Sequence, residues 1–143
     1  MISIIQAAKY LVFLSYTQKR GSLTPLKLQK LLYLAQGWSF VWDNKPIFAG
    51  EFEAWQYGPV NTEVYSHFHK YGRNEIPSSE GISDISDTDA KSTLDAIWRD
   101  YSGYSAFTLV DLTHAQTPWK KADYYHQVIS TEDIKSYFQS TYR

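Results

Sequence analysis

Between Leu23 and Trp38 the chain reads Leu-Thr-Pro-Leu-Lys-Leu-Gln-Lys-Leu-Leu-Tyr-Leu-Ala-Gln-Gly-Trp, and no other stretch restricts the possible folds as much. Thr24 is a strong N-cap, because its hydroxyl can accept from an amide in the first turn, and Pro25 suits the first helical position, where no N–H is needed. From there Leu28, Leu31, Leu32, Ala35 and Trp38 recur every three or four residues, which places them on one face of a helix. Lys27, Lys30 and Gln36 fall toward the other side. Asp43-Asn44-Lys45-Pro46 ends the helix in a turn. Gly37 costs up to ~1 kcal/mol relative to Ala inside a helix, so its presence implies close packing of a neighbour there.

Other segments can cover this helix. Ile4, Ile5, Ala8, Leu11 and Val12 make an apolar stripe on a first helix of about Ile2 to Tyr16, broken by Gln18-Lys-Arg-Gly-Ser. From Ile47 to Tyr57 the period changes to two, with Phe52, Ala54 and Gln56 alternating with Glu53, Trp55 and Tyr57, a strand pattern that Gly58-Pro59 closes. Asn61 can cap a third helix through Val64, Phe68 and Tyr71 that stops at Gly72. A fourth runs from about Thr88 to Tyr101, with Leu94, Ile97, Trp98 and Tyr101 on one face and Gly103 beyond its end. Ser105 caps a short helix bearing Leu109 and Leu112, Thr117-Pro118-Trp119 repeats the cap-plus-proline pattern, and Ser130-Thr-Glu-Asp133 resembles a capping box before Ile134, Tyr137 and Phe138. The sum is a mainly α (α+β) fold of about six helices with a small antiparallel sheet.

No internal repeat or second boundary interrupts this plan, so residues 1–143 read as a single domain. Within it, Arg73 to Asp89 is rich in Ser, Asp, Glu and Gly and reads as a long, solvated acidic loop. The charge is lopsided: residues 1–50 carry six Lys or Arg against one acid, and residues 51–100 carry ten acids against four bases, so the molecule should be electrically polar. Apolar runs such as Tyr10 to Leu14 fall far short of the ~20 residues that cross a bilayer, no secretory signal is evident, and membrane association is not expected. Cytoplasm is the expected compartment. Zero Cys removes disulfides, thiolate nucleophiles and Cys-based zinc sites.

Few residues offer chemistry. His67 and His69 stand two apart on a helix and point to different faces, so they cannot chelate one ion together. His114 and His126 lie near Asp111 and Asp123, and a carboxylate–imidazole pair could act as orienter and base, but no nucleophile-elbow Ser or Cys accompanies them. Nucleotide, phosphate-loop, zinc-protease and calcium-loop patterns are missing, and no cofactor is expected. Binding chemistry is better represented. Lys19, Arg20, Lys27 and Lys30 gather positive charge around the start of the second helix, where an anion such as DNA phosphate would be favoured, against the plainer reading of a solvated basic face. A pI of 6.4 is low for a dedicated nucleic-acid binder. Trp38, Trp55 and Tyr57 suit either a core or an interface anchor.

The run Leu23 to Trp38, followed by Phe52-Glu-Ala-Trp-Gln-Tyr-Gly-Pro-Val60 and then Val64-Tyr65 and Tyr71-Gly72, resembles the Panacea domain, the family that includes phage-associated and mobile-element proteins of the GepA type. The similarity is densest over about residues 23–72 and extends more loosely through Ile4 to Leu14 and Leu109 to Trp119. It implies a mostly helical domain with a small sheet, no catalytic residues, and a role as an antitoxin that neutralises a toxin encoded by an adjacent gene through direct protein–protein binding. Some members are instead adaptors that present the toxin to a protease. The acidic segment is the variable part, and no extra DNA-binding region is obvious. On that basis Lys27, Lys30, Trp55 and Tyr57 are the candidate partner contacts, and a DNA-binding autoregulator of a phage or mobile-element operon is the alternative.

Overall fold

The computed structural model describes residues 1–18, 21–122 and 126–143. Helix α1 (Ile4–Thr17) follows a two-residue strand β1 (Ile2–Ser3), and α2 (Pro25–Asp43) follows the cap at Thr24, whose side chain accepts from the Lys27 amide. Three short strands come next: β2 (Phe48–Ala49), β3 (Phe52–Trp55) and β4 (Gly58–Val60). Helix α3 (Thr62–Phe68) leads through 3₁₀ turns at His69–Tyr71 and Ser78–Glu80 to α4 (Thr88–Tyr101). The chain ends with α5 (Ala106–His114), α6 (Thr117–Ala122), β5 (Val128–Ile129) and α7 (Thr131–Tyr142). Asn61, Asp87, Ser105 and Ser130 each accept from an amide in the first turn of the helix they precede.

The strand region is more divided than the alternating pattern predicts. Gly58-Pro59 does not end the sheet. It begins β4, which returns antiparallel to β3 with Glu53 opposite Val60 and Trp55 opposite Gly58. On its other edge β3 pairs antiparallel with β5, Phe52 opposite Ile129, while β1 and β2 form a separate parallel pair. Proline is tolerated in β4 because that strand is an edge and needs no amide donor there.

α2 is the central element, flanked by α1, α4, α5, α7 and β4. Every residue from 27 to 37 is buried, so the helix has no solvent face over three turns. Its leucines join a core that includes Leu11 and Leu14 of α1, Leu94 and Trp98 of α4, and Phe138 of α7, each such side chain contributing roughly 1.5–3 kcal/mol of burial. A Cβ at Gly37 would run into the Phe138 ring, which accounts for the glycine. The buried amides of α2 take over backbone hydrogen bonding: Gln29 donates to Asn61 O (3.0 Å) and accepts from Asn61 N (2.9 Å), and Gln36 donates to Phe48 O (3.1 Å) and accepts from Ile47 N (2.9 Å). Two irregular connections are thereby fixed to the helix.

The acidic segment departs from its expected solvated character. Ile76 and Ile85 are in the core, the Ile76 amide donates to Leu23 O and the Ile82 amide to Lys9 O. Glu80 is buried and accepts from Lys9 Nζ (3.0 Å) and Tyr71 Oη (2.5 Å), with His67 Nε2 at 3.0 Å. Burial alone would raise its pKa, but the hydrogen bonds from Tyr71, His67 and Lys9 outweigh that and hold it down to about 2. This carboxylate ties the segment to α1 and α3.

Candidate functional site

The loop between β3 and β4 is held from below. Lys30 is wholly buried, and its ammonium donates to Pro59 O at 2.8 Å. Burial away from any carboxylate lowers its pKa from 10.5 to about 7. Gly58 has φ of +99°, a region that glycine enters without strain, and a Cβ there would meet Lys30 Cε at 2.8 Å and Thr113 Oγ1 at 2.9 Å. From the other side Trp119 Nε1 donates to Trp55 O at 3.1 Å. The turn is thus clamped by α2, α5 and α6, and Tyr57 stands at its tip, 51% exposed.

Lys27 is also buried; its ammonium donates to Ser102 O at 2.5 Å and lies 5.9 Å from the centre of the Trp98 ring. Burial lowers its pKa as well. Neither lysine is therefore the solvated base expected on the outer face of this helix: α2 is covered on all sides, and both cations are spent on backbone carbonyls. Lys19 and Arg20, the other members of the expected basic cluster, lie outside the described residues.

Tyr57 does not stand alone. Phe107, in the first turn of α5, is 64% exposed and meets it edge-on, with ring centres 6.2 Å apart at 87°. Between these rings and Leu26 lies a hollow of about 410 Å³, with Arg73 on its wall. Beyond Leu26 and Gly72 it is continued by a second hollow of about 240 Å³ against α3, where Tyr65 stacks on His69 at 5.0 Å. Trp55 extends the band. It is half-buried, stacked on His126 at 4.1 Å and tilted against Tyr65 at 5.0 Å, and its indole N–H donates to Glu53 at 2.9 Å. The result is a groove with aromatic walls, open to solvent, on a rigid base.

Of the candidates picked from sequence, Tyr57 and Trp55 are on this band, and Lys27 and Lys30 lie beneath the surface as supports. Phe107, Tyr65, Leu26 and Arg73 are not among those candidates. Phe107 had a signal, because it falls off the buried stripe of Leu109, Val110 and Thr113; the others are brought together only by tertiary packing. Of the two Asp–His pairs, Asp111 and His114 form no base and orienter: His114 stacks on Trp119 at 3.9 Å with its Nε2 buried and without a hydrogen-bond partner, and Asp111 is exposed. In the pair with His126, the acid Asp123 lies outside the described residues. His67 faces Glu80 while His69 faces Tyr65. Among the described residues no three His, Cys, Asp or Glu side chains could share a metal ion, and no helix is long and apolar enough to cross a membrane.

Residues 28–120 match the family model for the Antitoxin SocA-like, Panacea domain, a span running from the core of α2 to α6. Antitoxin SocA of Caulobacter vibrioides (strain NA1000 / CB15N) is 33% identical over 109 residues, which is 68% of this chain and 58% of that protein. The chain thus spans under two thirds of that relative's length. No solved structure matches the chain.

Proposed function

The chain belongs to the SocA-like Panacea family of antitoxins, and from that premise we propose that it is a cytoplasmic antitoxin that binds a toxin encoded by a neighbouring gene and neutralises it by covering its working surface, with no bond made or broken. The observation that supports this mode of action is the Tyr57–Phe107 pair: two large exposed rings in edge-on contact, one at the tip of a turn that Lys30 and Trp119 hold in place and the other in the first turn of α5. Binding energy concentrates in a few aromatic anchors, and anchors already fixed in position lose little conformational freedom on association. Tyr57 and Trp55 are the proposed contacts, with Lys27 and Lys30 acting through the backbone they support. Autoregulation by DNA binding drew on a basic face at the start of α2, and with Lys27 and Lys30 buried that support is gone from the described residues.

Co-expression tests the proposal. The adjacent open reading frame is induced with and without this gene. Growth arrest that this gene relieves, together with co-purification of the two products, is the expected result. A neighbour that is harmless alone, or lethal regardless of this gene, would overturn it.

A further inference from the structure

The groove's aromatic walls suit an apolar group, and its charge bears on what would accompany it. Among the residues lining its two hollows are Arg73 and His69, and among the described residues neither hollow has an Asp or Glu in its lining. That is unexpected in the part of the chain where acids outnumber bases ten to four over residues 51–100. Of the acids in this stretch, Glu53 accepts from Trp55 and Glu80 is buried behind α3, while Glu63 and Glu75 are exposed but outside the lining of both hollows. Arg73 is exposed and makes no ion pair or hydrogen bond among the described residues. Two helices also begin at the groove wall, α2 beside Thr24 and Leu26 and α5 at Ala106 and Phe107, and the positive ends of their dipoles add to the arginine's field. A carboxylate here can take a two-pronged hydrogen bond from the guanidinium, whereas a base meets the like charge of Arg73 with only the ring faces to offset it. Beside that charge the walls are Tyr57, Phe107 and Leu26, which require an apolar side chain.

We propose that the groove receives a segment of the partner protein in which a large apolar side chain lies next to a carboxylate, the apolar group seated between Tyr57 and Phe107 and the carboxylate on Arg73. The inference rests on the reading of the chain as a toxin-binding protein and names the part of the toxin that is gripped. Specificity follows from the charge: the rings accept any apolar residue, and Arg73 rejects those flanked by Lys or Arg.

The preference is readable without the toxin. The ¹⁵N-labelled full chain is titrated with 3-phenylpropionate and with 3-phenylpropylamine, which share a ring and differ in the sign of their charge. The carboxylate should shift the Tyr57, Arg73 and Phe107 amides saturably, with a Kd of roughly 1–10 mM for so small a ligand. The amine should bind about tenfold more weakly, and Arg73→Ala should remove the difference between them. Equal binding of both probes, a preference that survives Arg73→Ala, shifts confined to other faces, or no shift up to saturation of the probe would overturn the inference. Shifts of the same amides on concentrating the protein alone would do so too, by assigning the groove to a second copy of the chain. Because no toxin is present, failure here leaves the co-expression result standing, and a failed co-expression leaves the charge preference of the groove standing.

Discussion

Exposed aromatic side chains gather beside both ends of α2, and the two groups are used differently. Leu26 and Trp42 are sixteen residues apart on the helix, or about 24 Å. At the far end Trp38 stacks on Trp42 (5.0 Å) and packs against Tyr142 (4.7 Å), donates its indole N–H to Tyr101 (2.9 Å) and touches Phe138 edge-on (6.2 Å). Trp42 and Tyr142 remain 46% and 40% exposed, but they are the rim of a seam between α2 and α7 whose centre is Phe138 against Gly37. At the near end Tyr57 and Phe107 rest edge-on against each other and line an open hollow. Exposure alone does not distinguish a docking site. A ring already engaged in holding two helices together has less to gain from a partner than a ring whose faces are still wet.

Truncation at the two ends should damage different properties. The largest effect is expected at the seam. Phe138→Ala removes a fully buried ring and should cost about 3–5 kcal/mol in urea unfolding; a loss under about 1 kcal/mol would remove the structural half of the contrast.

A smaller effect is expected under the groove, where Lys30 supports the turn. The unfolded chain keeps the Lys30 proton up to about 10.5 and the folded chain only up to about 7, so between these values the unfolded state binds more protons. Stability should therefore rise with pH across that window, by up to about 1.4 kcal/mol per pH unit, with Lys27 adding in the same direction. Lys30→Met should flatten the rise, measured by urea unfolding between pH 7 and 9.5, below the range where tyrosines ionise. A wild-type profile that is flat or falls would mean that this lysine is not the buried cation described.

The smallest effect on stability belongs to the groove itself. Phe107→Ala and Tyr57→Ala should each change the unfolding free energy by under about 0.5 kcal/mol, as exposed side chains outside the core do. A loss of 2 kcal/mol or more from either would place these rings with the seam.

The seam and the element order were legible in the sequence far more than the groove was. Thr24-Pro25 and the leucine spacing fix the start and the buried stripe of α2, and Thr88 to Tyr101 is read to the residue, because caps and periodicity are local properties. What periodicity missed is that α2 lacks a second side facing water: Lys27, Lys30 and Gln36 sit opposite the leucines, and only the packing of the end of α4 on Lys27, of β4 and α5 on Lys30, and of the β2 connection on Gln36 buries them. Residues 73–89 misled for a related reason. Composition counts their acids, but Ile76, Glu80, Ile82 and Ile85 each have a partner on α1, α3 or in the core, and such partners are far away in sequence. In the groove, Tyr57 and Trp55 were found through the motif that carries the family resemblance. Arg73 and Phe107 come from separate loops, so no window of sequence contains both.

The measurement that bears most directly on the central claim is the affinity of the purified neighbouring toxin for three forms of this protein, each confirmed folded by circular dichroism: wild type, the groove double variant Tyr57→Ala/Phe107→Ala, and the seam-rim variant Trp42→Ala. Loss of two anchors should raise Kd by at least about 100-fold, and the seam-rim variant should stay within about threefold of wild type. A groove double variant that binds as wild type does, or a seam-rim variant that alone loses binding, would contradict the account.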